Sequence, residues 1–255
     1  MLKIPVFISL LFFSTALYGQ FEGGLQSKTP YRDDHAQLVS DVTTSFFFEI
    51  PGSEITPTPE AAWKHWTLVE NFTFAKDRGN LPMIADLNAL HPYFLDKIIT
   101  LITTCKAKGI QLVVVESYRT HAKQNEYKSM GKKYTRSTGG KSKHQYGLAI
   151  DVVPVIDSAA QWDNAKLWRK IGVIGEQLGL RWGGRWKTLY DPGHFEWTGG
   201  LSSYHLSAGQ WPRIPKATNY PCLDEDLIQL TEYWKAWETE QSSIARKEIS
   251  PNKMN

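Results

Sequence analysis

Two short runs of this chain, forty residues apart, constrain its fold more than any other feature. The first, SKHQYGLAID, ends at Asp151 and contains His144, and the second, DPGHFE, contains His194. Two imidazoles and a carboxylate are a common ligand set for a catalytic zinc ion, whose fourth position is kept for water. We therefore predict that the fold brings the two runs together and that His144, Asp151 and His194 bind a metal ion.

The spacing within the first run is not that of ligands on a helix. Seven residues separate His144 from Asp151, whereas helical ligands stand three or four residues apart. The spacing suits a histidine on a loop that enters a strand, with Gly147 permitting a close bend. Without the second run, this pair would also fit an ordinary surface or core pair of polar side chains.

Two further carboxylates accompany His194 in the second run. Asp191 stands three residues before it, where a general base would reach an attacking water, although Asp-Pro-Gly is also a turn signature. Glu196 stands two residues after His194, on the same face of a strand. It would orient the imidazole through a hydrogen bond, and a role as a competing base is the alternative. Together these residues indicate a hydrolase.

The rest of the pattern mixes short strands with helices. A strand over Leu148–Val153 would place Ala149 and Asp151 on one face and apolar residues on the other. The other predicted elements are a helix over Asp86–Lys108, a strand over Gln111–Glu116, a helix that Thr120 caps and that runs through Met130, a loop over Gly131–Lys143, an amphipathic segment over Ala159–Leu178, an aromatic turn over Trp182–Trp186, a strand over Gly193–Trp197 and a C-terminal helix marked by Leu227, Leu230, Trp234 and Trp237.

The N-terminus has the composition of a secretory signal peptide over residues 1–19. Lys3 supplies a positive charge, and the apolar stretch Ile4–Ala16 is shorter than the roughly 20 residues of a membrane-spanning helix. We expect export to the periplasm, the cell envelope or the exterior, without stable membrane insertion after cleavage; an uncleaved anchor is the alternative. The predicted layout continues with an N-terminal arm over 20–79, a core over 80–200, a C-terminal extension over 201–241 and a polar tail over 242–255.

Charge and cysteine content restrict the partners of the chain. The formal net charge of +3 and the dispersed basic residues do not predict a nucleic-acid surface. The basic run Lys128–Lys143 is predicted as a solvated loop, which in an exported protein would also attract an anionic polymer such as cell wall. Cys105 and Cys222 would form a disulfide in an oxidising compartment or remain two separate thiols. The sequence leaves the oligomeric state open.

The order of the motifs resembles a family of zinc peptidases. S-x-H-x-x-G-x-A-x-D followed by D-x-x-H-F-E is similar to the D-alanyl-D-alanine carboxypeptidase and L-alanyl-D-glutamate endopeptidase family, which shares its fold with the hedgehog domain. Ser117–Arg119 with Gln124 downstream, and the Trp182–Trp186 block, also match. The resemblance covers about residues 80 to 200. One departure is that Pro192 precedes Gly193, whereas the family commonly has proline directly before the second histidine.

The resemblance implies an α+β fold, with a small, mainly antiparallel sheet flanked by helices and a zinc cleft across the sheet. His144, Asp151 and His194 would hold Zn²⁺, and Asp191 would take a proton from the attacking water. Arg119 would face the scissile carbonyl or a substrate carboxylate, although an ordinary salt bridge is its alternative. Gln124 and Ser142 would support the site or contact the substrate.

The resemblance also implies a substrate class, the stem peptides of peptidoglycan. Aspartate at the base position favours an L-alanyl-D-glutamate endopeptidase, with a D-alanyl-D-alanine carboxypeptidase as the close alternative. A non-catalytic, zinc-containing domain that binds cell wall is the third possibility, and the presence of Asp191 argues against it.

Overall fold

A computed structural model of the chain describes residues 64–216, 218 and 220–249. The predicted signal peptide over 1–19 and most of the predicted arm over 20–79 lie outside the described residues. The same holds for residues 250–255 of the predicted tail.

The described residues form short strands and longer helices in mixed order. The strands are β1 (Leu68–Val69), β2 (Met83–Ile84), β3 (Gln111–Glu116), β4 (Ala149–Ile156), β5 (Ala159–Ala160), β6 (Arg181–Trp182) and β7 (His194–Glu196). The α-helices are α1 (Pro92–Ala107), α2 (His121–Ser129), α3 (Ala165–Gln177), α4 (Ser203–Ser207) and α5 (Leu223–Ile249), and 3-10 helices span Leu87–Ala89, Lys143–Tyr146 and Gly183–Arg185.

A five-stranded antiparallel sheet forms the centre of the fold. Its order is β3-β4-β7-β6, and β5 pairs with the end of β4. Strand β4 therefore has β3 on one side and β7 on the other. The predicted α+β class, with a small antiparallel sheet and flanking helices, is confirmed.

One face of this sheet is the main hydrophobic core. Ile150 of β4 and Phe195 of β7 are cross-strand neighbours, and both are fully buried. They belong to the same apolar cluster as Phe94 of α1 and Trp168 of α3. Since successive strand residues alternate between faces, Asp151 and His194 project from the opposite face. The core therefore fixes the two strands that carry polar groups on their other side.

Glycines in α3 let this helix lie close against the sheet. A Cβ atom at Gly172 would stand 2.3 Å from the ring of Trp182, and one at Gly175 would stand 2.4 Å from the ring of Phe195. Both separations are far below van der Waals contact. Close packing therefore requires glycine at these two positions, although glycine has a low helix propensity.

Several predicted boundaries are wrong. The helix predicted from Asp86 begins at Pro92, because proline lacks an N–H and favours the first turn, while Asp86 caps the preceding 3-10 helix. The segment predicted to be amphipathic over Ala159–Leu178 divides into β5 and a helix capped by Asn164. The strand predicted to end at Val153 continues to Ile156. By contrast, Thr120 caps α2 as predicted, accepting a hydrogen bond from the Lys123 N–H.

Helix α5 runs to Ile249, past the start of the polar tail predicted at residue 242. Its Trp234 stacks on Tyr118, with ring centroids 5.0 Å apart, and donates a hydrogen bond to the Ala89 carbonyl. Gln241 donates to the Pro82 carbonyl. These contacts join the C-terminal extension to the loop that precedes α2, to the 3-10 helix over Leu87–Ala89 and to the residue before β2.

Cys105 and Cys222 are both free, so the disulfide alternative is wrong. Cys105 is buried in α1, and Cys222 is exposed just before α5. Within the described part of the chain, no helix combines the length and the apolar character that a membrane crossing requires.

Replacing Gly175 with alanine is expected to lower the free energy of unfolding by about 1–3 kcal/mol. The new methyl group would overlap Phe195, and this cost exceeds the gain in helix propensity of about 1 kcal/mol. Urea unfolding followed by circular dichroism measures the effect. Val173→Ala, at a more exposed position of the same helix, is the control, with a smaller expected change. Wild-type stability of Gly175→Ala would show that α3 does not press on Phe195.

The pair of His121 and Glu238 is expected to make stability depend on pH. Glu238 accepts hydrogen bonds from the backbone N–H and the ring Nδ1 of His121, and this contact raises the pKa of His121. The contribution is therefore complete below the unfolded pKa of about 6.5 and is lost as pH rises through the higher folded value. Since His121 is half exposed, we expect at most about 1 kcal/mol.

The measurement compares the free energy of unfolding of the wild type and His121→Gln at pH 5 and pH 9. The difference between them should be larger at pH 5. An equal difference at both pH values, or a larger one at pH 9, would contradict the assignment of this pair.

Candidate metal centre

Three donor atoms converge where β4 and β7 meet the 3-10 helix over Lys143–Tyr146. His144 Nε2 lies 3.2 Å from His194 Nδ1, His194 Nδ1 lies 3.0 Å from Asp151 Oδ1, and His144 Nε2 lies 3.4 Å from Asp151 Oδ1. Ligand atoms bound tetrahedrally at 2.0–2.1 Å would be about 3.3–3.4 Å apart. The three atoms thus form a triangle of the size that a zinc ion requires, and all three residues are buried.

Local structure positions each of the three side chains. Asp151 and His194 are direct cross-strand partners in the pairing of β4 with β7. His144 comes from the short helix that leads into β4, and Gly147 ends that helix in the left-handed region, at φ 61°. A Cβ atom at Gly147 would stand 2.7 Å from Trp234. Glycine is therefore needed there both for the turn and for the close contact.

Asp151 uses its two oxygens in different directions. Oδ1 faces the two imidazoles. Oδ2 lies 3.3 Å from Arg119 Nη2 and 3.6 Å from Arg78 Nη1. One oxygen is thus directed to the candidate metal position, while the other is held by two guanidinium groups.

Electrostatics in the site follow from this arrangement. Burial raises the pKa of Asp151, but the two imidazoles outweigh this effect and hold it well below its usual range. Burial and Arg119 lower the pKa of His144. Burial alone would also lower the pKa of His194, yet its bonds to Asp151 and Glu196 raise it to about 10. Asp151 is therefore anionic and His144 neutral, and metal binding would displace a proton from His194.

Glu196 contacts the far side of the His194 ring. Its Oε2 lies 3.2 Å from His194 Nε2, and its other oxygen accepts a hydrogen bond from Arg181. Burial would raise the pKa of Glu196, but the bond to His194 lowers it to about 2. This is the contact expected of a carboxylate that orients a ligand imidazole.

Asp191 lies in the turn before β7, and two backbone hydrogen bonds fix it. Its N–H donates to the Gly183 carbonyl, and its own carbonyl accepts from the His194 N–H. Trp182 donates to the Pro192 carbonyl, so the shifted proline sits in a turn that the aromatic block holds. Burial and the nearby charge of Asp151 raise the pKa of Asp191. None of the described residues donates a hydrogen bond to its carboxylate.

The Arg119 guanidinium donates its hydrogen bonds to neighbouring side chains of the protein. Its guanidinium donates to Glu116, to Gln124 and to Asp151, and the residue is only 7% exposed. This geometry fits the salt-bridge alternative, in which Arg119 orients Asp151. The role of facing a substrate carbonyl remains a prediction.

Gln124 and Ser142, the other two residues predicted to support the site or contact substrate, have different surroundings in the structure. Gln124 is fully buried and donates its amide N–H groups to Thr135 and Ser137. Its carbonyl oxygen accepts a hydrogen bond from Arg119, which fits the supporting role. A contact between Gln124 and substrate stays a prediction. Ser142 is half-buried and begins the 3-10 helix that carries His144, with its N–H donating to Gln145. A contact between Ser142 and substrate stays a prediction.

Three charged residues near the site were not predicted from the sequence. Glu116, at the end of β3, is fully buried beside Arg119. Lys76 and Arg78 come from the segment predicted as an arm, yet both interact electrostatically with Asp151 and Asp191. The one available signal was the charged cluster Lys76–Arg78 followed by Gly79, a pattern that any surface turn also shows.

A buried His-Asp-His group on an antiparallel sheet, with a further carboxylate beside it, defines the class of metal-dependent hydrolases. A family model described as D-alanyl-D-alanine carboxypeptidase matches residues 135–197 of the chain. The chain is also 33% identical over 131 residues to the peptidoglycan L-alanyl-D-glutamate endopeptidase CwlK of Bacillus subtilis, a match that spans 46% of this chain and 77% of that relative.

Solved structures give two further matches. The L-Ala D-Glu endopeptidase ChiX of Serratia marcescens is 28% identical, with a TM-score of 0.37, over 44% of this chain and 83% of its own. The D,D-pentapeptidase VanY of a VanB-type resistance cassette is 21% identical, with a TM-score of 0.33, over 67% and 93% respectively. By the extent of the match to CwlK, the chain belongs to the zinc peptidase family of D-alanyl-D-alanine carboxypeptidases and L-alanyl-D-glutamate endopeptidases.

Replacing Glu196 with glutamine is expected to weaken zinc binding by about 10- to 100-fold, because the ring of His194 would lose its charged partner. A competition titration with a chromophoric chelator measures the dissociation constant. Glu176→Gln, which neutralises a partly exposed carboxylate paired with Arg185 away from the donor set, is the control and should leave the affinity unchanged. Equal affinities for the Glu196→Gln variant and the wild type would rule out the orienting role.

Proposed function

We propose that the chain is a zinc-dependent peptidase that hydrolyses the stem peptides of peptidoglycan. The observation that carries this proposal is the triangle of His144 Nε2, Asp151 Oδ1 and His194 Nδ1, with sides of 3.0 to 3.4 Å, beside the carboxylate of Asp191. Two histidines and one carboxylate suit Zn²⁺. When bound, zinc supplies a positive charge that polarises a carbonyl group and makes water more acidic.

Asp191 is the proposed general base. Its raised pKa lies closer to neutrality than that of an ordinary aspartate, and a base works best when its pKa is near the working pH. No described residue donates a hydrogen bond to this carboxylate, so it is not held by a structural ion pair. It would accept a proton from the attacking water and deliver it to the departing amine.

The surrounding ion pairs are proposed to hold the donor set in place. Glu116 fixes Arg119, and Arg119 contacts the outer oxygen of Asp151. Glu196 fixes the ring of His194. Each ligand side chain with a charged neighbour therefore has one preferred orientation before any metal binds, which reduces the reorganisation that binding requires.

We propose that the bond cleaved is the one between L-alanine and D-glutamate. The similarity to CwlK supports this choice, as does aspartate at position 191, where the resemblance implies glutamate for many carboxypeptidases. The alternative, removal of a terminal D-alanine, is supported by the description of the matching family model. The peptide class is common to both.

The proposed place of action is the periplasm, the cell envelope or the exterior. The short positive and apolar segment over residues 1–19 supports export, and the proposed substrate lies outside the cytoplasm. A mass measurement on protein recovered from fractionated cells tests this proposal. A chain that retains residues 1–19 in the cytosolic fraction would contradict it.

Asp191→Asn is expected to keep zinc and to lose about 10²- to 10⁴-fold in kcat, the usual contribution of a general base. Metal analysis and hydrolysis of purified muropeptides are measured on the same preparation. Asp224→Asn, which changes an exposed aspartate in the first turn of α5, is the control. Turnover near the wild-type rate in Asp191→Asn would remove Asp191 from the mechanism.

Mass spectrometry of the digested muropeptides distinguishes the candidate functions. A cut after L-alanine leaves that residue on the muramic acid side and supports the endopeptidase. Loss of terminal D-alanine alone supports the carboxypeptidase. Unchanged muropeptides with zinc bound at full occupancy would support a non-catalytic domain.

A further inference from the structure

Lys76 and Arg78 lie over the same aromatic ring at the edge of the metal centre. Lys76 Nζ is 4.2 Å from the centroid of the Trp162 ring, and Arg78 Cζ is 5.3 Å from it. Trp162 donates a hydrogen bond of 2.8 Å to the Phe74 carbonyl, which fixes the plane of the ring. Both cations therefore have a defined position, and a face of Trp162 supports them.

The backbone of this segment is anchored to α2. Lys123, a buried residue of α2, donates hydrogen bonds to the carbonyls of Arg78 and Leu81. Glu126 of the same helix accepts from the N–H groups of Asn80 and Leu81. Since these bonds use backbone atoms of the segment, the side chain of Arg78 can be changed without breaking them.

The hydrogen bonds of Arg78 differ from those of Arg119. Arg119 donates to three neighbouring side chains. Arg78 makes a single loose ion pair, 3.6 Å from Asp151 Oδ2, and its side chain is 15% exposed. No other described residue accepts a hydrogen bond from its guanidinium. Arg78 thus retains donors that a ligand can reach.

The balance of charge around these two cations favours an anion. Arg119 is neutralised by Glu116, and Arg181 by Glu196. Lys76 and Arg78 share Asp151 and Asp191 as nearby acids, while Asp163 acts on Lys76 alone and Glu116, already paired with Arg119, acts on Arg78. A divalent ion held by Asp151 would offset that carboxylate, so the two cations would be left with too little negative charge nearby.

We propose that Lys76, Arg78 and Trp162 form a subsite that binds a free carboxylate of the substrate next to the scissile bond. This inference rests on the proposed function, because it assigns one part of the peptide to one side of the cleft. Trp162 and Ala75 also line a groove of about 710 Å³, together with residues 160–161 and 163–166, a volume within the range of ligand pockets.

The chemistry of the substrates explains why a carboxylate belongs there. In an L-alanyl-D-glutamate bond whose glutamate continues through its γ-carboxyl group, the α-carboxylate stays free on the carbon that carries the scissile nitrogen. In a terminal D-alanyl-D-alanine bond, a free carboxylate occupies the same position. Guanidinium and ammonium groups bind such a carboxylate through charge-assisted hydrogen bonds, so the subsite would fix the amine side of the bond beside the metal.

Two isomeric dipeptides of equal charge test the proposal. L-alanyl-D-glutamine has a free α-carboxylate, whereas L-alanyl-D-isoglutamine carries an amide there and its carboxylate at the γ position. The zinc-loaded wild type should prefer the first isomer by about tenfold or more in kcat/KM, the usual effect of a hydrogen bond to a charged group. Lys76→Met combined with Arg78→Met should reduce that preference to within about twofold.

Control variants separate this effect from a general loss of charge or fold. Lys170→Met removes an exposed lysine of α3 and should keep the wild-type preference. Arg78→Lys keeps the charge and should retain part of it. Thermal unfolding of each variant reports on the fold. A double variant that keeps the full preference, or that loses the same factor on both isomers, would overturn the proposal.

A binding measurement distinguishes failure of the subsite from failure of the proposed function. Calorimetric titration of both isomers into zinc-loaded Asp191→Asn requires no turnover. Selective binding of L-alanyl-D-glutamine, lost in a triple variant that adds Lys76→Met and Arg78→Met, would support the subsite even if the wild type hydrolysed neither peptide. Hydrolysis of both isomers at equal rates, with equal binding, would leave the peptidase and remove the subsite.

Discussion

The antiparallel pairing of β4 with β7 is the interaction on which the rest of the site depends. It sets Asp151 directly opposite His194 and, one step along, Ile150 opposite Phe195. Because a strand alternates its faces, the same register that buries the apolar pair against α1 and α3 brings the two candidate ligands together on the other face. A slip of one residue would turn Asp151 into the core. Packing of the apolar face therefore protects the geometry of the polar one.

A metal site built on buried charges needs neighbours that offset the cost of removing those charges from water. Here the compensation comes from pairs: Arg119 with Glu116 behind Asp151, and Glu196 behind His194. Their contribution is orientation as much as stability, since a carboxylate or imidazole with a fixed partner keeps its donor atom directed at one point. The outer oxygen of Asp151 contacts both Arg119 of these pairs and Arg78 of the proposed carboxylate subsite.

The sequence predicted the three candidate ligands better than it predicted the charged residues around them. Two motifs with the right order identified His144 and His194 although spacing alone says nothing about their distance in space. Glu116 was missed because a carboxylate at the end of an apolar strand has no local signature of burial. The helix expected from Asp86 failed at Pro92, whose ring favours the first turn over the interior. Boundaries of this kind depend on tertiary contacts. In α5, for example, Trp234 stacks on Tyr118, and the periodicity of the sequence does not reveal this contact.

The family match over residues 135–197 contains the three candidate ligands, Asp191 and Glu196, but not the charged residues that contact the outer oxygen of Asp151. Arg119 lies on a loop that α5 supports, where Trp234 stacks on Tyr118 and Glu238 accepts from the His121 N–H. Lys76 and Arg78 enter from the N-terminal side and depend on Lys123 and Glu126 of α2 for their backbone position. The C-terminal helix α5 and the N-terminal segment that carries Lys76 and Arg78 are therefore both connected to the metal centre through α2 or the loop before it. A change in either flank would act on specificity and on metal geometry without touching a ligand.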